Sequence, residues 1–317
     1  LRSYIDWIEE DKMTRRIKLI LNPIADGGQA LRMVNDLRPI VAEHGGADWS
    51  ETAYRTHAVE LAKQAAIEGY DLVIALGGDG TIHEVINGLM QAPGEKRPAL
   101  GIVPIGSGND FAYALGIPTD AGRAMRQALN GEASAVDLGL LVDEHGRKEY
   151  FGNTLGIGFD TIVNLRLHQL PLLRGVLMYF AAVIRTILLN HNPVKMQVEI
   201  DGEKLEQENL MVVICNGPRE GGGFMLAPDA KLDDGVLNYT IVRKVSRAMM
   251  FRLLPEVMKG THGKFPQVKV GACKKFLITS DRPLYIHTDG EIFSGFGSNL
   301  KRIAVEILPN ALRIVRG

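Results

Sequence analysis

Two apolar rhythms divide this chain, and the change comes before its midpoint. From residue 17 to residue 131, short continuous apolar runs alternate with segments whose apolar residues recur at helical spacing. "IKLILNP" (17–23), "WSETAYRT" (49–56), "DLVIALGG" (71–78) and "ALGIVPIG" (99–106) read as strands. "ALRMVNDLRPIVAEHG" (30–45), "AVELAKQAAIEG" (58–69), "TIHEVINGLM" (81–90), "NDFAYALGI" (109–117) and "DAGRAMRQALNG" (120–131) read as helices. This alternation predicts a parallel sheet with helices on both faces. Ligands of such sheets bind at the carboxyl ends of the strands, and the glycine-rich loops fall at those ends.

Beyond about residue 137, strand-like runs dominate: "AVDLGLLVD", "EYFGNTLGIGF", "VKMQVEIDG", "NLMVVICNG", "VLNYTIVRK", "KFLITSD" and "LYIHTDGE". Helical segments at 160–190 and 246–259 interrupt them, and two short apolar runs close the tail (304–317). The second half therefore reads as a mainly antiparallel β-sandwich with inserted helices. The expected divisions are an N-terminal extension (1–16), an α/β domain (17–137), the sandwich (138–298) and a C-terminal segment (299–317).

Composition narrows the function. The chain has 317 residues, 46% apolar and 23% charged, in the ordinary globular range. Its net charge of −1 gives no global attraction to nucleic acid, so no nucleic-acid partner is expected. Cys215 and Cys273 lack metal-ligand spacing and read as reduced core thiols of a cytoplasmic protein. The charged N-terminus has no apolar core of a signal peptide. The segment 172–189 is interrupted by Arg174 and Arg185, leaving it too short to cross a bilayer.

The candidate chemistry starts at "VIALGGDGTIHEVINGL" (73–89). A phosphate approaches a backbone closely where Cβ atoms are missing, as at Gly77, Gly78 and Gly80. The helix opening near Thr81 points free N–H groups at the same place. Asp79 beside an anion makes sense with a divalent cation between them. "PIGSGNDFA" (104–112) repeats the design at the next strand exit with Gly106, Ser107, Gly108, Asn109 and Asp110. Two such loops on adjacent strands point to a nucleotide cradle with Mg²⁺. No P-loop is present, and no G-x-G-x-x-G follows the first strand.

"LGGDGTIHEVINGL", "PIGSGNDFA", "FGNTLGIGFDTIV", "APDAKLDDGVLNYTIV" and "TDGE" occur in an order that resembles the diacylglycerol kinase catalytic-domain family. That family includes bacterial soluble diacylglycerol kinases and YegS-like lipid kinases, with sphingosine and ceramide kinases as relatives. The resemblance covers residues 17 to about 315. It implies an α/β nucleotide domain, a β-sandwich lipid-substrate domain, a cleft between them, and a C-terminal segment from about 299 returning to the first domain. It implies ATP as phosphoryl donor, Mg²⁺, and a lipid acceptor, with diacylglycerol foremost. The first-strand loop departs from the family: "NPIADGGQA" keeps Asn22 and the glycines but adds Asp26.

Carried over by the resemblance, Asp289 is the general base for the lipid hydroxyl and Glu291 assists it. The spacing of two suits both, because i and i+2 share one side of an extended strand. Taken alone, the tripeptide reads more simply as a solvated hairpin turn. Asp79 and Asp110 handle the nucleotide's Mg²⁺. Thr56 matches a nucleotide-holding position, though it equally suits a helix N-cap. Glu84, one turn into its helix, reaches for the nucleotide or is merely solvated. Asp233 and Asp234 lie where the family resemblance implies a second, structural Mg²⁺, with Asp234 the better ligand; the plainer reading is a turn. Asn153 and Asp160 shape the cleft. His83, His168, His191 and His287 have no metal-binding spacing.

Between Arg243 and Lys275 stand nine Lys or Arg against one acid, Glu256. Within this stretch 246–259 is amphipathic, which suits peripheral contact with an anionic membrane surface. A core-packed helix with a solvated basic face explains the same pattern. A homodimer stays open. Two rival functions share the GGDGT loop: an NAD kinase, and a nucleotide-sensing protein without catalysis.

Overall fold

The protein is described here by a computed structural model covering residues 15–167 and 175–316. The expectations for His168, for the start of the 172–189 segment and for nearly all of the N-terminal extension lie outside the described residues.

Four parallel strands form the first half: β1 (Ile17–Leu21), β2 (Asp48–Glu51), β3 (Leu72–Gly77) and β4 (Ala99–Pro104), in spatial order 2-1-3-4. All residues of β3 and β4 are buried, which is why these strands read as unbroken apolar runs. The helices are α1 (Ala25–Ala42), α2 (His57–Ile67), α3 (Asp79–Leu89), α4 (Asp110–Ala114) and α5 (Ala121–Asn130). β2 is shorter than predicted. It ends at Glu51, where its pairing with the end of β1 stops, and residues 52–56 become a loop over the strand ends.

The second half is antiparallel: β5 (Glu132–Asp143), β6 (Lys148–Phe151), β7 (Thr154–Gly158), β8 (Val194–Ile200), β9 (Glu203–Cys215), β10 (Leu237–Arg243), β11 (Val268–Cys273), β12 (Lys275–Ser280), β13 (Ile286–Thr288), β14 (Glu291–Ser294) and β15 (Arg302–Arg316). The predicted segment 160–190 contains α6 (Phe159–Leu167) and α7 (Gly175–Leu189); α8 (Arg247–Met258) follows the expected 246–259. β8 shows strict alternation, with Val194, Met196, Val198 and Ile200 buried, as a strand with one core face requires.

The tail differs from its two predicted short runs. It is one strand, β15, bent where its pairing with β5 shifts between Leu308 and Leu312, around Pro309 and the left-handed Asn310. β15 lies antiparallel to β5 and β12 and meets β4 in parallel at Ile314–Leu100. It thus joins the parallel and antiparallel strands into one mixed sheet. One core cluster fills the α/β half. A second lies among the antiparallel strands, and a third sits between β9–β10 and the helices α6, α7 and α8. Cys215 and Cys273 are free and buried.

Candidate active site

The loops after β1, β3 and β4 meet loops of the antiparallel half around a cleft of about 640 Å³. Its floor is backbone. A Cβ on Gly106 would lie 2.6 Å from the Gly78 Cα, so the two glycine loops touch and Gly106 leaves no room for a side chain. α3 starts at Asp79, two residues earlier than predicted, capped by Gly78; Asp79 and Gly80 therefore sit in its first turn. Thr81 points inward, 5% exposed, and its Oγ1 accepts a hydrogen bond from Asn22 Nδ2 at 3.0 Å. Asn109, left-handed at φ 49°, closes the second loop by donating to Gly106 O at 2.9 Å.

Asp79 and Asp110 face each other across these loops. Burial, reinforced by Asp110, pushes the Asp79 carboxyl up to about 7. A buried and a half-buried carboxylate that repel each other form a donor set a hard cation would relieve, so the residues fit Mg²⁺. They are not equally free. Asp110 pairs with Arg219 Nε at 2.9 Å and accepts from Gly222 N at 3.0 and 3.1 Å, whereas Asp79 accepts from Phe111 N at 3.3 Å.

Asp289 and Glu291 do not share a strand face. Asp289 and Gly290 are both left-handed and form the tight turn from β13 to β14, which sends the two side chains apart. The Asp289 carboxylate goes inward. Its Oδ1 accepts from Asn153 N (2.8 Å) and Thr154 N (3.0 Å), and its Oδ2 meets Gly152 N (3.0 Å) and His83 Nδ1 (2.9 Å). Four partners use all the acceptor sites of a carboxylate. Glu291 goes outward over the first turn of α3; a Cβ on Gly80 would lie 2.5 Å from its Oε1. Its other oxygen pairs with Arg55.

His83 is the buried hub behind this turn. It lies between Asp289 and Glu149, with Nε2 3.2 Å from Glu149. Burial pushes its pKa down, but the hydrogen bonds and charges of the two carboxylates outweigh that and carry it up to about 10. A histidine whose pKa is raised on folding adds stability below its unfolded value of about 6.5. That contribution disappears as pH rises through about 10. We expect the urea midpoint to fall between pH 7 and pH 10, and the fall to shrink in His83→Asn.

A second buried network supports the turn from the other side. Gly290 N lies 3.2 Å from His287 Nδ1, and the ring's Nε2 lies 2.9 Å from Asp160. Asp160, Glu220 and His287 bring their ligand atoms within 4.8 Å of one another, but the imidazole is spent on these hydrogen bonds and does not suit a metal. Burial and Asp160 push Glu220 up to about 7; it also contacts Thr154, Asn164 and Tyr179.

The cleft gathers Asn22, Gly78, Asp79, Gly80, Thr81, Glu84, Gly106, Ser107, Gly108, Asp110, Asp289 and Glu291, all expected from sequence. Gly77 and Asn109 support its loops without lining it. Thr56 does not line it either: its N–H donates to Glu84 Oε1 at 2.8 Å, and Thr52 takes the lining position. Glu84, which also accepts from Ala58 N at 3.1 Å, thus caps α2 where a Thr56 side chain was the expected cap. Asp233 and Asp234 lie away from the cleft. Asp233 pairs with Arg316 at 2.7 Å, which does not fit a metal ligand, and Asp234 accepts from Val236 N at 3.3 Å. Sequence reasoning missed Arg55, Glu149, Tyr179, Arg219 and Glu220. The stretch "NGPREGGG" (216–223) carried the available signal for the last two, a glycine-rich loop with charges at a strand exit.

Residues 16–141 match the family described as the diacylglycerol kinase catalytic domain. Residues 153–316 match the YegS C-terminal NAD kinase beta sandwich-like domain. A Bacillus subtilis (strain 168) diacylglycerol kinase is 32% identical over 87% of this chain and 90% of its own length. One from Staphylococcus aureus (strain MRSA252) is 34% identical over 88% and 87%. A crystal structure of a diacylglycerol kinase from Bacillus anthracis str. Sterne superposes with a TM-score of 0.70 at 22% identity, covering 96% of this chain and 97% of that one, a likeness of fold.

Proposed function

Because the chain belongs to the diacylglycerol kinase family and is a kinase, we propose that it transfers the γ-phosphoryl group of ATP to the hydroxyl of a lipid, diacylglycerol, giving phosphatidic acid. The observation that carries the lipid acceptor is an apolar hollow of about 80 Å³ beside the cleft. Val183, Ile187, Leu210, Met211, Phe224 and Leu254 are among its walls, and Tyr179 lines both hollow and cleft. In this reading the headgroup hydroxyl faces Glu291 while an acyl chain passes Tyr179. Val183→Trp should fill the hollow and raise KM for long-chain diacylglycerol at least several-fold, leaving that for a short-chain analogue nearly unchanged; a steady-state comparison of the two acceptors checks this.

We assign residues 17–137 to nucleotide binding, 138–298 to the lipid, and 299–317 to the return strand. Glycine-loop N–H groups hold the phosphates. Asp79 and Asp110 would hold Mg²⁺, which would supply charge neutralisation at the transferring phosphoryl group. Asp234 is the candidate ligand of a second, structural ion. The hydroxyl oxygen attacks the γ-phosphorus as the bond to the bridging oxygen breaks. The geometry supports exchanging the two carboxylate roles expected from sequence. Glu291, the less buried, takes the hydroxyl proton, and Asp289, filled with hydrogen bonds, anchors the turn.

No helix among the described residues is long and apolar enough to cross a membrane. The apolar face of α8 packs inward through Met250, Leu253 and Leu254, so the amphipathic pattern there is a core pattern. Leu177, Phe180 and Leu188 on α7 are exposed instead. We therefore place peripheral membrane contact on α7. Leu177→Glu/Leu188→Glu should lose co-sedimentation with anionic vesicles that the parent protein shows; a parent that stays in the supernatant contradicts the membrane reading. The acceptor itself is tested by incubating the protein with MgATP, a lipid panel and NAD. Phosphatidic acid as main product is expected, and NADP formation contradicts it.

A further inference from the structure

We propose that Arg55 is the residue that grips the outer phosphates of the donor, and that its pairing with Glu291 makes phosphate binding and release of the base one event. This deepens the reading of the cleft as an ATP site and rests on it.

Seven Asp or Glu side chains line the cleft, and Arg55 is the sole Lys or Arg among the described residues that do. His83, the other cation, is committed between Asp289 and Glu149. A triphosphate carries about four negative charges near pH 7, and one Mg²⁺ offsets about two of them. Neither glycine loop contains a lysine. The remaining charge calls for a guanidinium, whose planar fork suits phosphate oxygens.

The position fits. Arg55 comes from the loop after β2, at the carboxyl end of the parallel sheet where phosphates are expected. The backbone of that loop is held in place. Thr56 is left-handed at φ 71°, its N–H is bound by Glu84, and Tyr54 stacks on His57 at 4.5 Å. The Arg55 side chain, by contrast, is 70% exposed, and its partner Glu291 is 35% exposed. An ion pair this open to water contributes at most about 1 kcal/mol, so phosphate can displace it.

The exchange has a consequence for catalysis. While Arg55 holds Glu291, one carboxylate oxygen is engaged by the guanidinium and turned from the acceptor. Transfer of Arg55 to the phosphates leaves Glu291 able to accept the hydroxyl proton, so the base is freed when the donor is in place.

The test is binding, measured by calorimetry with MgATP and with AMP and needing no lipid. The proteins are the unsubstituted chain, Arg55→Gln, Glu291→Gln and the double variant, each checked for an unchanged unfolding midpoint. Losing a charge-assisted hydrogen bond of about 1.5–3 kcal/mol weakens ATP binding roughly 10- to 100-fold. AMP binding should hardly change in Arg55→Gln. Glu291→Gln should tighten ATP binding in the parent, by removing the competitor for Arg55, and should do nothing in the Arg55→Gln background. Equal weakening of ATP and AMP, or no weakening, overturns the proposal. So does tightening by Glu291→Gln that persists without Arg55, since that is plain repulsion. A parent protein that binds no nucleotide overturns both this inference and the ATP reading beneath it.

Discussion

Glu291→Gln lowers kcat by roughly 10²- to 10⁴-fold, the range expected for a lost general base, with little change in unfolding midpoint. The first part follows from where the carboxylate stands. It lies over the first turn of α3, against Gly80, at the edge of the two touching glycine loops. A γ-phosphoryl group held by those loops and an acceptor hydroxyl approaching from the antiparallel side would meet beside it. The second part follows from its surroundings. Its side chain is 35% exposed and its ion partner Arg55 is more exposed still. Neutralising one member of such a pair changes stability by well under 1 kcal/mol. Rate assays beside thermal unfolding of the same preparation measure both halves.

Asp289→Asn behaves differently: it destabilises the protein by about 3–5 kcal/mol, as breaking a buried ion pair does, and loses activity as a result. The backbone is not the cause, because Asn accepts the left-handed conformation that Asp289 adopts at φ 51°. The cause is the count of donors. Three backbone N–H groups and His83 converge on two carboxylate oxygens. An amide offers one oxygen and turns an NH₂ toward donors that need an acceptor. His83 also loses one of the two charges that keep it protonated. Chemical denaturation resolves this. An Asp289→Asn protein with the parent's midpoint but no activity would restore to Asp289 the role of base that the family resemblance implies.

These two variants mark what the sequence could convey about the site. The glycine loops were legible because their chemistry is local: missing Cβ atoms and a helix N-terminus are written in consecutive residues. The carboxylate pair was legible as a pair, but not the divergence of its two side chains. That divergence depends on a left-handed turn at Asp289–Gly290 and on backbone donors from residues 152–154, more than a hundred positions earlier. Thr56 was misplaced for a related reason. Periodicity located the start of α2, but only the packing of Glu84 shows that a carboxylate from α3 caps it and leaves Thr52 at the cleft.

The fold followed the same logic. Buried parallel strands and the alternation of β8 were plain in their apolar patterns. β11 (Val268–Cys273) was not, because its middle residues are exposed or half-buried and offer no apolar alternation. The single span of β15 was hidden by Pro309 and Asn310, which read as a break between two strands and proved to be a bulge within one. The basic stretch around α8 misled in the opposite way. Its amphipathicity is real, but the third core cluster uses the apolar face.

In the proposed reaction the cleft brings a nucleotide triphosphate to a lipid hydroxyl with Glu291 between them. The most direct measurement is transfer of labelled γ-phosphate from ATP to diacylglycerol in mixed micelles with Mg²⁺, comparing the parent with Glu291→Gln at matched unfolding midpoints. Labelled phosphatidic acid is expected from the parent, with a loss of at least about a hundredfold in the variant. Labelled product formed at the same rate by both proteins, or no product from a parent that binds ATP and diacylglycerol, would contradict it.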